Sequence, residues 1–437
     1  MPKNLDTQHR TTGCALLLLP LLAAMAAMTT GAAQAQTPPQ VCKEDVRVLS
    51  QPRDGLTLLE KYKDEFKTLS GVSFNIDNLN ENDRRTKTRA DASTVGKYHV
   101  YYVDEANVPL FAQSKWIVPL AKYYPADYDY ADFDPGRQKV ATFAGQAWFA
   151  PLTGGGDLLV YRKDLLEKAG VKPPTTLEEF IAAAKKLNDP ANGIYGVALR
   201  GQRGSGANVW RWMPFFRGNG GQWFDGDKPV FNSPAALKAT QTYLDLFKYS
   251  APGTKTGSWD ESTGAFLAGK VAMLIESTPL AGNALDPKTS TVIGKVAYLP
   301  PPAPLTGGGY GHGLAIGAKA NKTEEAKQCA GLFVAWATSK KQEQRRLAEG
   351  QFSELNRTSV LGSPEFAKRY GADLGKALAD TGKVTAVNFW QDALWPDLGD
   401  RWGIILEELI TGSRTDIQGG LDELDAYARQ LIARRKK

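Results

Sequence analysis

Apolar residues in this chain fall into short strand-like runs separated by stretches of helical period. After Asp45 the run VRVLS predicts a strand, and Leu56, Leu59, Tyr62, Phe66 and Leu69 then recur at the spacing of an amphipathic helix. VSFNI predicts a second strand and YHVYYVD a third. A helical stretch through Phe111 to Trp116 and a further strand, AWFAPL, follow. This alternation predicts an α/β fold with a doubly wound layer, in which ligands sit beyond the carboxyl ends of the strands.

Helix starts are legible further along. Thr175 and Thr176 each precede a glutamate by three residues, Glu178 and Glu179, the pattern of a capping box. Ser233-Pro234 opens a helix that carries Leu237, Tyr243, Leu244 and Phe247. Between two strand-like segments stands Thr153-Gly154-Gly155-Gly156-Asp157, where three glycines give the backbone freedom to turn sharply. An ordinary loop fits those residues as well. A second cluster, Gly307-Gly308-Gly309-Tyr310-Gly311-His312-Gly313, precedes another strand-like run.

At the N-terminus, Lys3 and Arg10 precede the apolar run CALLLLPLLAAMAAM, which is too short to span a membrane. Small residues follow, ending Ala33-Gln34-Ala35, so residues 1–35 are expected to be a secretory signal peptide cut after Ala35. A retained membrane anchor is the alternative. No lipobox-like stretch precedes Cys14.

The chain has 437 residues, 42% hydrophobic and 10% aromatic, long enough for two domains. A formal charge of +6 is mild, and it clusters only at Arg434, Arg435, Lys436 and Lys437, so no nucleic-acid partner is expected. Beyond the leader two cysteines remain, Cys42 and Cys329. Export permits a disulfide between them, and two separate thiols are equally compatible with the sequence. With three histidines (His9, His99, His312) and no Cys-x-x-Cys or His-Glu-x-x-His, neither a metal site nor another cofactor is expected.

Gly264 to Lys270 has the spacing of a phosphate-binding P-loop. The next residue is Val271, where magnesium ligation needs Ser or Thr, and the preceding TKTGSWDEST is loop-like where a P-loop needs a strand.

Two stretches carry a family resemblance: LLVYRKDLLEKAGVKPPTTLEEFIAAAKKL at 158–187 and AFLAGKVAMLIES at 265–277. Together they resemble the family 1 extracellular solute-binding proteins of bacterial ABC importers for sugars and polyols. That resemblance implies a periplasmic-binding-protein-like fold of two doubly wound α/β lobes joined by a multi-strand hinge. It puts the first lobe at 36–153 with 311–352 and the second at 154–310 with 353–437. Crossings between them fall at the two glycine clusters and near FSELNRTS, 352–359. The function implied is capture of a sugar or sugar alcohol in the interlobe cleft and delivery to a membrane permease, by a monomer in the periplasm that performs no catalysis.

Loop ends facing such a cleft hold aromatic rings interleaved with carboxylates, amides and arginines, a mixture suited to polyhydroxylated ligands. From the first lobe the candidates are Arg53, Asp54, Glu81, Asp104 and Glu105, with Asp157 at the first crossing. The second lobe offers Arg203, Asn208, Trp210, Trp259, Asp260 and Glu276. Tyr310 and His312 stand at the second crossing, and Arg357, Trp390 and Trp395 lie in the C-terminal segment. Each has a structural alternative, such as a helix cap for an Asp or surface packing for a Trp. Trp212, Trp223 and Trp402 are expected to pack in the interior.

The block YxVDEANVPLFAQSKWIVPL, the RG-x-x-G-x-x-x-N pattern and the aromatics before the return strand resemble the polyol branch of the family most. Gly155 and Gly156 depart from that branch, standing where it has polar residues. The competing class is a secreted carbohydrate-active enzyme using Asp260 and Glu276 as acid and base. Nothing resembling Gly-x-Ser-x-Gly accompanies His312 as a general base. Capture of an anion or a polyamine is a third reading, and the balanced set of Arg and Asp argues against both.

Overall fold

The computed structural model describes residues 42–52, 54–204, 207–226, 228–352 and 355–435, with no description of the side chains of Asp54, Glu81 and Asn82. The expected signal peptide, with His9 and Cys14, lies outside the described residues, as do Arg53 and the last two residues of the basic tail.

Two sheets organise the chain. In the first, Phe74–Asn78, Val46–Ser50 and Val100–Asp104 run parallel, and Tyr310–Gly317 joins Val100–Asp104 antiparallel. The far edge of Tyr310–Gly317 is shared by Ala150–Gly155 and Ile117–Val118. Alternation along the strands builds a core on each face. Val46, Val48, Val100 and Tyr102 pack with Phe66, Phe74, Phe333 and Trp336, while Leu49, Tyr101 and Val103 point the other way, toward Ala92, Phe111 and Phe149.

The second sheet has the order Val296–Leu299, Asp157–Arg162, Val271–Ser277, Tyr195–Val197. Here too neighbours divide: Leu158 and Val160 join Phe266 and Leu280, and Leu159 and Tyr161 join Phe180, Trp212 and Trp402. The C-terminal helices Trp395–Thr411 and Ile417–Arg435 complete the latter core.

Local signals act as their chemistry dictates. Thr176, rather than Thr175, caps the helix Leu177–Lys186, with Glu179 returning the bond, and Ser233 caps Pro234–Leu246. The P-loop look-alike is the end of the helix Trp259–Leu267, a turn with Gly269 at φ +79°, and the start of the strand Val271–Ser277. A phosphate-binding loop needs the opposite order, strand before helix. Cys42 and Cys329 form a disulfide, their Cα atoms 5.1 Å apart, which ties the segment before the first strand to the helix Glu324–Ala337.

Only Gly156 separates Ala150–Gly155 of the first sheet from Asp157–Arg162 of the second. Its neighbouring glycines serve close approach, not the freedom to turn that their sequence suggests. Gly154 and Gly155 lie in extended strand; a Cβ on Gly155 would overlap the Thr278 hydroxyl, and one on Gly156 would come within 2.6 Å of Thr385 Oγ1. The chain returns through Gly307–Gly308, paired with Thr385–Ala386, into Tyr310–Gly317. Apolar side chains pass from the first sheet's core at Ala337 to the second's at Leu347, across the helix Lys340–Glu349 and ahead of residues 352–359. No helix among the described residues is long and apolar enough to cross a membrane.

Candidate functional site

A cavity of about 790 Å³ lies between the two sheets. Its first wall begins where Val100–Asp104 ends. Asp104 is buried, and Arg84 grips it through two bonds of 2.8 and 2.9 Å while Arg85 adds two of 3.1 Å. Burial opposes the charge on Asp104, but Arg84, Arg85 and His312 together hold its carboxyl well below the usual range. His312, on the neighbouring strand, stands with Nδ1 2.9 Å from Asp104 and Nε2 3.7 Å from Glu105. Glu105 is 1% exposed, and burial pushes its carboxyl up to about 7.

The opposite wall rests on a buried ion network. Glu276, next to last in the central strand Val271–Ser277 of the second sheet, receives Arg200 at 2.7 and 2.6 Å and Arg211 at 3.3 Å. Arg211 also reaches Asp157 at 2.7 Å. Desolvation works against the charge on Glu276, yet the two arginines hold its carboxyl below the ordinary value; Asp157 is pushed up by burial despite Arg211. Arg200 lies over the Trp259 ring, 5.3 Å from its centroid. Trp210 and Trp395 continue this wall, both backed by Phe389.

Of the residues singled out in the sequence, Asp104, Glu105, Arg203, Trp210, Trp259, Asp260, Tyr310, His312 and Trp395 line the cavity. Five lie elsewhere for clear reasons. Asp157 and Glu276 stand behind the wall in the arginine network, with no exposed surface. Asn208 donates to the carbonyls of Gly201 and Gly403, fastening the 201–204 loop to the C-terminal helix. Arg357 spends its guanidinium on the carbonyls of Tyr128, Asp129 and Thr338 and stacks 4.2 Å from Phe133. Trp390 packs on Phe224 at 4.8 Å. Arg53 and the side chains of Asp54 and Glu81 lie outside what is described, although Gln51 and Pro52 beside them line the cavity.

Residues 50–344 match the family model of bacterial extracellular solute-binding proteins. The chain belongs to that family. As a solute-binding protein it is 29% identical over 273 residues to a mannitol-binding protein of Pseudomonas aeruginosa, an alignment covering 60% of this chain and 61% of that relative's length. An erythritol/L-threitol-binding protein of Mycolicibacterium smegmatis is 23% identical over 84% of this chain and 82% of its own. Among solved structures, a solute-binding protein of Agrobacterium radiobacter K84 in complex with ribitol superposes with a TM-score of 0.80 at 28% identity, covering 90% of this chain and 99% of that one. One from Agrobacterium vitis S4 with bound D-mannitol gives 0.78 at 26% identity and the same coverage. The fold is thus that of the periplasmic binding proteins.

Several cavity residues of this solute-binding protein were not singled out from its sequence: Gln51, Arg85, Arg89, Thr153, Arg200 and Arg211. Two had a readable signal. Arg211 interrupts an apolar helix between Trp210 and Trp212, where an unpaired cation would be costly, and Arg200 opens the same glycine-rich pattern that pointed to Arg203. Trp212 and Trp402 meet edge to face at 5.0 Å in the core, and Trp223 is buried beside Trp212. Among the described residues no cluster of His, Cys, Asp and Glu could hold a metal ion.

Proposed function

We propose that this protein captures a neutral sugar or sugar alcohol in the cavity between its sheets and delivers it, unchanged, to the permease of an ABC importer. The observation that carries the reading is the lining itself: three tryptophans beside guanidiniums that are already engaged by carboxylates. Aromatic faces cover the C–H side of a polyol, and planar charged groups serve adjacent hydroxyls in pairs. Arg85, Arg89, Arg200, Arg203 and Arg211 each face a carboxylate. An anionic ligand therefore meets no idle cation among the described lining residues. Mannitol and erythritol relatives, and neighbours holding ribitol and D-mannitol, support the polyol class.

In this reading residues 36–153 with 311–352 form one lobe and 154–310 with 353–437 the other. The ligand bridges them and favours closure about the crossings, and the monomer works outside the cytoplasmic membrane after loss of the leader. Arg89 of the first half approaches Asp397 of the second at 3.7 Å, an exposed contact between the two halves. Hydrolysis by Asp260 and Glu276 is disfavoured, because Glu276 is held ionised behind two arginines and has no access to the cavity.

Thermal shift with ribitol, D-mannitol, erythritol and maltose tests the proposal. A true ligand at a hundredfold excess over its dissociation constant raises stability by about 2.7 kcal/mol. The Trp259→Ala variant is expected to lose that shift with its unliganded melting point nearly unchanged. No shift with any carbohydrate, or recovery of a chemically altered one, would overturn the reading.

A further inference from the structure

Gln202, Arg203 and Gly204 line the cavity from a loop that belongs to no helix or strand. Its first residues are pinned through the backbone. The Tyr243 hydroxyl donates to the Arg200 carbonyl at 2.7 Å, and the N–H groups of Gly201 and Gln202 both donate to the Gly257 carbonyl at 3.0 Å. A Cβ on Gly201 would stand 1.9 Å from the Lys255 carbonyl oxygen, so the loop has no room to shift that way. Arg203 is then held by Glu407, from the helix Trp395–Thr411. One oxygen of Glu407 accepts the Arg203 N–H at 3.0 Å, and the other lies 3.2 Å from Nε of the same residue. Glu407 itself is not part of the lining. The carboxylates that hold Arg85, Arg200 and Arg211, which are Asp104, Glu276 and Asp157, have side chains at most 4% exposed. By contrast the Arg203 side chain is 55% exposed and that of Glu407 21%. Solutes in the cavity therefore reach this guanidinium, and the carboxylate that engages it stands off the wall.

We infer that Glu407 is a positioning residue that sets the charge specificity of the cavity: by holding Arg203 it keeps the site selective for neutral polyols, and without its charge Arg203 turns to anionic sugar derivatives of the aldonic acid class. The inference rests on the capture reading above. A guanidinium matches a carboxylate in bidentate fashion, more strongly than it serves neutral hydroxyls. Glu407 competes for that guanidinium and also repels an incoming carboxylate. In the lobe assignment above both residues lie in the same half, so closure around a ligand leaves the pair intact. Gln in place of Glu407 keeps an oxygen for the Arg203 N–H, so the loop holds its position while the competing charge is gone.

Calorimetry with ribitol, D-mannitol, erythritol and maltose, each beside its aldonic acid (D-ribonate, D-mannonate, D-erythronate and maltobionate), tests this. Wild type is expected to favour the neutral member of whichever pair it binds. Glu407→Gln should keep the dissociation constant for that neutral compound and bind its aldonate about two- to fivefold more tightly than wild type does, the range expected when one exposed ion pair is released. In an Arg203→Gln background the same Glu407→Gln change should bring no gain. A gain that survives in that background is a general effect of charge and overturns the inference. An aldonate-to-neutral affinity ratio unmoved by Glu407→Gln, or a wild type that takes both members of a pair equally, overturns it too, and each of these results leaves capture of a carbohydrate standing. No heat with any of the neutral compounds removes the capture reading and this inference together.

Discussion

Asp157 and Arg211 are joined at 2.7 Å with almost no exposure of either side chain, and the second oxygen of Asp157 accepts from the N–H of Gly308 at 3.1 Å. One carboxylate thus holds the chain where it leaves the first sheet and where it returns. Removing one member of a buried pair typically costs about 3–5 kcal/mol, because the survivor keeps its desolvation penalty. Asp157→Ala should lower the unfolding free energy by that amount even without ligand, seen as a lower denaturant midpoint at unchanged slope. An unchanged midpoint with lost ligand binding would instead make Asp157 a direct ligand contact.

The crossing glycines predict a steric effect. Gly155→Ala drives its methyl into Thr278, and overpacking of this kind costs about 1–3 kcal/mol. Truncating the neighbour in Gly155→Ala/Thr278→Ala should recover part of the loss. A double-mutant cycle measures the coupling, and strict additivity would count against a clash between these two side chains.

Glu343 makes stability depend on pH. It is buried and accepts from the N–H groups of Asn356 and Arg357 through one oxygen, at 2.9 Å each; burial pushes its acid from 4.5 up to about 7. A raised carboxyl stabilises the fold in full below its unfolded value, and that contribution disappears as pH rises through 7. The difference corresponds to about 3 kcal/mol. Glu343→Gln keeps an acceptor for both N–H groups and carries no charge. Relative to wild type it should gain stability at pH 8 and little at pH 4.5, which urea titrations at the two values would read; an equal gap at both would exclude titration of Glu343 as the cause.

The disulfide closes a loop of 287 residues between Cys42 and Cys329. Bridges of this kind contribute about 2–4 kcal/mol, chiefly by restricting the unfolded chain. The Cys42→Ser/Cys329→Ser variant is therefore expected to melt earlier while keeping the dissociation constant of the wild type, since neither cysteine lines the cavity. A changed dissociation constant would mean that the bridge shapes the cavity at a distance.

Periodicity made much of the architecture readable. VRVLS is the strand Val46–Ser50 at the expected residues, while VSFNI and AWFAPL became strands displaced toward their C-terminal sides, because polar Asp77, Asn78 and Thr153 pair as well as apolar neighbours do. Strand ends also pointed to much of the cavity wall: Asp104 and Glu105 were visible because they directly follow an apolar run. What stayed hidden was the second partner in each charge pair. Glu276 looked like a cleft acid until Arg200 and Arg211 came in from residues 76 and 65 positions away to cover it. Arg357 looked like a ligand donor because sequence cannot show three backbone carbonyls converging on one guanidinium.

The pairing of every described cavity arginine with a carboxylate has a metabolic corollary. Phosphorylation would turn a neutral polyol into a dianion that has to compete with the protein's own carboxylates for these arginines. A transporter fed by such a receptor would distinguish raw nutrient from its activated form, and would ignore phosphorylated metabolites shed by neighbouring cells.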